Sequence, residues 1–179
     1  MHTTVPFLLA SSSPRRRHLL EVLGMPFSVV SESVSEDVDP LWSPVEVVEN
    51  LALRKARAVA RSRDDAIVLG SDTIVVLDNT VLGKPADAAE AATMLETLSG
   101  RTHEVYTGLA LVYSAQGRQA VSHEVTHVTF AKLDRVEIDA YVASGSPLDK
   151  AGAYGIQEDL GATFVSSVNG DYYTVVGLP

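Results

Sequence analysis

The chain has no cysteine. That absence excludes disulfide frameworks, thiolate catalysis and cysteine-ligated zinc. Basic residues are in the minority, 14 Lys and Arg against 23 Asp and Glu, so the formal net charge is -9. Such a balance argues against a non-specific nucleic-acid binder, which needs Lys and Arg to neutralise backbone phosphates. It argues equally against a basic membrane-surface helix. No apolar run approaches a membrane span, and residues 1–7 lack a basic stretch followed by an apolar one. A cytoplasmic protein is the expectation. Repeats, low-complexity tracts and a Pro/Ser/Gly linker are also missing. What remains is an ordinary globular composition, 46% hydrophobic and 21% charged. At 179 residues the chain suits one compact domain, or two small lobes sharing a sheet.

Apolar residues 7–10 read as a buried first strand. Ser13 as N-cap and Pro14 as first helical residue open a helix that Gly24 closes. Residues 27–30 read as a second strand, and the acidic stretch 31–42 as irregular. Ser43-Pro44 repeats the helix-start signal. A strand beginning at Ile67 passes through Gly70-Ser71-Asp72 to Leu77, where Asp78-Asn79 turns the chain. Asp87 with Glu90, and Asp134 with Glu137, read as capping boxes of two further helices. Between those helices lie strands over 105–113 and 121–130. Residues 146–161 read as a loop. Asn169-Gly170, between 163–168 and 172–176, predicts a hairpin. β-α units early and hairpins late imply an α/β fold with a mixed sheet.

Four stretches could carry chemistry. The first is Ser11-Ser12-Ser13-Pro14-Arg15-Arg16-Arg17. A helix N-terminus favours an anion, and serine hydroxyls and arginine forks suit phosphate. The plainer reading is a capped helix with a solvated basic first turn. Arginine there has the wrong sign for the helix dipole, which tips the balance towards anion binding. It is not a Walker A loop. The second is Asp72, flanked in its strand by Leu69 and Ile74. A partly buried carboxylate needs a metal, a cation or a donor. Metal ligand or water-activating base stands evenly against a structural Asp capping a bulge. The third is Lys84 in Gly83-Lys84-Pro85; alone it is weak, as is Lys55, whose plainer role is a snorkelling helix lysine. The fourth spans 147–157, with Asp149, Lys150 and Gln157 among small residues that admit close backbone approach. Gln157 has the amide needed to read a base edge. His123 and His127 lie about 13 Å apart along a strand, too far to share a metal. With His103 they read as strand-face residues. Glu36 by itself reads as a solvated loop acid.

In register, these motifs resemble the Maf family of nucleoside triphosphate pyrophosphatases. The resemblance runs from Leu8 to Pro179 on LLASSSPRR (8–16), LGSDTIVVLD (69–78), LGKP (82–85), LSGRTHEVYTGLAL (98–111), PLDKAGAYGIQ (147–157) and NGDYYTVVGLP (169–179). It implies a single Maf-like domain over 1–179 with a mixed, elongated central sheet flanked by helices, in two lobes with a cleft between, as in ITPase-like proteins. It implies Asp72 as general base and metal carboxylate, with Glu36 as a further metal-site acid. Ser11, Arg16, Lys55 and Lys84 match the phosphate-binding groups. Ser13 belongs to the same phosphate loop, and Asp149 and Lys150 fall in the family's late polar loop. Arg15, Thr73 and Gln157 side with the dTTP/UTP branch over the branch acting on N7-methyl-GTP. Glu158 and Asp159 add acid beside Gln157, where a glycine is common. Family members usually continue past Gly-Leu-Pro into a final helix, so a C-terminal helix is expected to be lacking here.

The expected reaction is cleavage of dTTP or UTP to monophosphate and pyrophosphate with Mg²⁺ or Mn²⁺, a nucleotide-pool house-cleaning role. The expected partner is the nucleoside triphosphate, with no nucleic acid or membrane and a homodimer left open. The rival readings are a purine or modified-nucleotide pyrophosphatase and a nucleotide-sensing regulator of septum formation.

Overall fold

In the computed structural model, residues 5–157 and 160–179 are described. Met1 to Thr4, part of the stretch read above for a leader, and the acids Glu158 and Asp159 lie outside them. The elements in order are β1 (Phe7–Leu9), α1 (Pro14–Val22), β2 (Ser28–Val29), α2 (Pro44–Ala60), β3 (Ile67–Leu77), β4 (Thr80–Leu82) and α3 (Ala88–Leu98). There follow β5 (Thr102–Tyr113), β6 (Arg118–Phe130), α4 (Arg135–Ala143), β7 (Val165–Asn169) and α5 (Tyr172–Val176). Among the described residues seven strands form one sheet in the order β2-β1-β3-β5-β6-β7, with β4 paired to β3. β1 runs parallel to β2 and β3, while β3/β4 and β6/β7 are antiparallel. The mixed α/β sheet is therefore as expected. No helix among the described residues is long and apolar enough to cross a membrane.

The chain divides into two compact units. The first takes the chain up to Asp72, with Thr107–Glu124 and Leu178; the second takes Thr73–Tyr106, Val125–Gly177 and Pro179. In the first unit α2 supplies a seam of Ala52, Ala56, Val59 and Ala60. It packs with Leu8, Ala10, Val68, Ala110 and Val112. Small residues on α2 bring its backbone close to the sheet. Two strand glycines complete the fit. A Cβ on Gly70 would lie 2.2 Å from the Ala52 carbonyl oxygen, and one on Gly108 2.3 Å from that of Val48. Those carbonyls are one helical turn apart, about 5.4 Å, which matches the roughly 4.8 Å between neighbouring strands. In the second unit α3 and α4 bury Leu95, Leu98, Ile138 and Tyr141 with Val105, Val128, Phe130 and Phe164.

The helix starts follow the capping chemistry. Ser13 accepts from the Arg16 N–H with Pro14 next in line. Ser43 with Glu46, and Asp134 with Glu137, form reciprocal boxes. Three expectations need correction. At α3 only half of the box forms. Asp87 accepts from the Glu90 N–H, but Glu90 reaches past it to the Ala86 N–H. The stretch 146–157 is no open loop, since it contains two short 3-10 turns, Ser146–Asp149 and Ala151–Ala153. The predicted hairpin at Asn169-Gly170 is absent. β7 pairs with β6, and Asp171 caps α5 by accepting from the Thr174 N–H at 2.7 Å and its hydroxyl at 3.0 Å. The aspartate after the glycine offers helix-starting acceptors that a two-residue turn would leave unused.

Candidate active site

β1 delivers the chain to the serines beside β3, because the Ala10 N–H donates to the Leu69 carbonyl at 2.8 Å. Ser11 is buried, and its hydroxyl accepts from the Ser13 N–H at 3.2 Å and from Arg16 Nη1 at 3.4 Å. Ser11, Ser13 and Arg16 thus form one small network at the start of α1. Hydroxyls are exchangeable partners for these donors, so a phosphate oxygen can take their place without leaving an N–H unmatched.

From β3, Asp72 faces α2, as Gly70 does two residues earlier. Lys55 Nζ donates to Asp72 Oδ1 at 2.5 Å and lies 2.8 Å from Glu36 Oε1. Asp72 is 8% exposed, so its charge depends on such a partner. The glycine notch is the local cause. It lets α2 approach until Lys55, inside the helix, reaches the strand. The field of the cluster extends to Arg16. Burial pulls its guanidinium pKa below the ordinary value, with Arg15 pulling the same way and Asp72 and Glu36 opposing. Arginine nevertheless stays cationic in proteins.

Ser11, Ser13, Arg15, Arg16, Glu36, Lys55 and Asp72 therefore all belong to the first unit. Five of them, Ser11, Arg16, Glu36, Lys55 and Asp72, are linked by hydrogen bonds, ion pairs or direct electrostatics. Glu36 is exposed, as a loop acid should be, but it is also paired with Lys55. Thr73 is half-buried beside Asp72, but strand alternation sends its side chain to the other face. The other predicted residues belong to the second unit. Lys84 is exposed, and its turn is tied to the later loop by the Gly152 N–H donating to the Gly83 carbonyl. Lys150 is buried, its ammonium donating to the Ser146 carbonyl and Asp149 Oδ1. Gln157 is half-buried. His103 proves to be a core residue, 2% exposed, with Nε2 against the Tyr154 hydroxyl and Nδ1 unpartnered. Residues that sequence reasoning passed over are Gly108, the second notch, and Arg54, which lies next to Lys55 and bonds the loop carrying Glu36. For Gly108 an isolated strand glycine was the available signal.

Among the described residues no three His, Asp or Glu stand together as a metal cage. Two carboxylates around one ammonium suit a different kind of ion. Mg²⁺ commonly takes one or two carboxylates and completes its shell with water and substrate phosphate. Asp72 and Glu36 fit that pattern.

A paired acid and lysine beside a serine-arginine helix start is an arrangement suited to phosphate, in a strongly acidic chain. The family model for Maf-like protein matches residues 6–179. The chain belongs to the Maf family. It is 54% identical over 173 residues to a dTTP/UTP pyrophosphatase of Bacillus cytotoxicus, covering 97% of this chain and 89% of that protein. It is also 54% identical over 172 residues to a dTTP/UTP pyrophosphatase of Bacillus cereus strain AH820, covering 96% and 88%. Among solved structures it resembles a HAM1 protein from Coxiella burnetii. The TM-score is 0.51 at 22% identity, over 74% of this chain and 76% of that one. This Maf chain thus shares its fold with a protein of distant sequence.

Proposed function

We propose that this Maf chain hydrolyses nucleoside triphosphates, dTTP and UTP foremost, to the monophosphate and pyrophosphate. The observation that carries the reading is the convergence of Ser11, Arg16, Lys55, Asp72 and Glu36 in one unit. The names of the Bacillus relatives support the choice of substrate.

In this reading Arg16 and Ser11 hold phosphate oxygens at the start of α1. Lys55 exchanges a carboxylate oxygen for a phosphate oxygen and neutralises charge that builds up as the α-β bond breaks. Asp72 takes a proton from water as the water oxygen bonds to the α-phosphorus and pyrophosphate departs. Positioning and charge neutralisation supply most of the acceleration, as in phosphoryl transfer generally. Asp72 and Glu36 would hold a divalent cation, Mg²⁺ or Mn²⁺, whose contribution is Lewis-acid polarisation of phosphate and a lowered pKa for water. Arg15, Thr73 and Gln157 are proposed as base-selecting residues. Lys84, Asp149 and Lys150 are proposed as further substrate contacts, on motif match alone. We take the chain to work as a single domain in the cytoplasm, cleaning the nucleotide pool.

The test is to incubate the protein with dTTP, UTP, CTP and N7-methyl-GTP plus Mg²⁺ and to resolve products by anion exchange. Pyrophosphate and monophosphate from dTTP and UTP are expected. Orthophosphate release, or tight nucleotide binding with no turnover, would sink the proposal.

A further inference from the structure

Glu36 comes from a segment without helix or strand, between Val29 at the end of β2 and Pro44 at the start of α2. Holding one residue of such a segment in place opposes considerable backbone entropy. Arg54 supplies the restraint. Its Nη1 donates to the Ser35 carbonyl at 2.6 Å and to the Asp37 carbonyl at 2.8 Å, the residues on either side of Glu36. Ser35 and Asp37 are joined as well. The Ser35 hydroxyl donates to Asp37 Oδ2 at 2.6 Å and accepts from the Asp37 N–H at 3.1 Å. The middle residue of this turn meets Lys55, Arg54's neighbour on α2. One residue of the helix holds the loop's backbone and the next holds its side chain.

We propose that Arg54 is a positioning residue that presents Glu36 to the cation site. The inference rests on the pyrophosphatase reading for its catalytic consequence, though not for its geometry. Arg54 touches neither Asp72 nor the start of α1 in any bond described above. It acts through Glu36. A cation held through a carboxylate is sensitive to what orients that carboxylate, typically by about 10–100-fold in affinity or activity.

The test uses the full chain and the variants R54M, R54K, E36Q and R54M/E36Q. Hydrogen exchange read by mass spectrometry should rise across residues 31–41 in R54M, with β1 and β3 still protected. Mn²⁺ binding, followed by depletion of the free-ion EPR signal, should weaken about 10-fold or more in R54M. In kinetics kcat/KM should fall, and R54M/E36Q should match E36Q, because a residue acting through Glu36 adds nothing once Glu36 is gone. R54K retains the charge and donors and should recover part of each loss; it carries the same readouts if R54M fails to fold. Unchanged exchange with unchanged Mn²⁺ affinity would overturn the proposal, as would a kinetic loss fully additive with E36Q. If the wild type releases no pyrophosphate, the pyrophosphatase reading falls, while the exchange and Mn²⁺ experiments still decide the role of Arg54.

Discussion

Lys55 and Asp72 stand 2.5 Å apart, both largely out of water, so neither charge is independent of the other. Asp72→Asn removes the proposed proton acceptor while keeping its shape. It should lower kcat by about 10²–10⁴-fold, with a far-UV spectrum like that of the wild type; an active variant would strip Asp72 of its role. His103 makes a separate prediction. Burial against Phe130 and Tyr154 pushes its pKa down from 6.5 to about 4. The folded chain thus holds a neutral imidazole where the unfolded chain takes up a proton. Stability from this residue is complete above pH 6.5 and is lost as pH falls from there towards 4. The limit is about 3 kcal/mol. Urea titrations at pH 7, 6 and 5 should show a steeper loss in the wild type than in His103→Gln; equal slopes would contradict the assignment.

At the level of elements, α2 and β3 fit because Gly70 offers no side chain where the backbone of α2 comes closest. Gly70→Ala would drive a methyl group into the Ala52 carbonyl and the Ala56 N–H. The expected cost is about 3 kcal/mol or more, at the upper end for overpacking because backbone must move. The same shift should carry Lys55 away from Asp72, so activity should fall further than the loss of folded protein accounts for. A thermal melt paired with active-site titration separates the two effects. α5 gives a smaller test. Asp171→Ala removes the cap on the Thr174 N–H and should cost about 1 kcal/mol. Were the segment a hairpin, a change this near its turn would be almost neutral in chemical denaturation.

For the whole molecule, a net charge of -9 repels a polyanionic substrate, whereas in the proposed site Arg16, Arg15 and Lys55 would attract it locally. At 0.1 M salt the Debye length is about 10 Å, so distant acids are screened more than the groups in contact. Raising salt from 0.1 to 0.5 M should therefore lower kcat/KM for UTP. A rise would mean that the global charge governs encounter. The two compact units interleave along the sequence. Each is built from separated segments, and, apart from those at Leu178, the boundaries fall inside β3, β5 and β6. No break in composition marks those three boundaries because a strand continues through each of them.

Local chemistry was legible in the chain. Ser13-Pro14, Ser43-Pro44 and Asp134 with Glu137 start helices wherever they stand, since a cap needs only its own first turn. Asp78-Asn79 turns for a similar reason, both residues taking positive φ. Asp72 and the serine-arginine stretch were legible as candidates, because a carboxylate in an apolar strand and arginine at a helix start each violate a local preference. Which groups meet was not legible. Glu36 is exposed as it read, but its pairing with Lys55 and the hold of Arg54 on its neighbours could not be seen, and Lys55 looked like a snorkelling lysine until Gly70 let α2 close on β3. Asn169-Gly170 looked like a hairpin until β7 paired with β6 and Asp171 took up a cap. Local preference follows from a residue and its neighbours, but ion pairs and glycine notches depend on segments tens of residues apart. Only tertiary packing brings those segments within a few ångströms, and it decided the site.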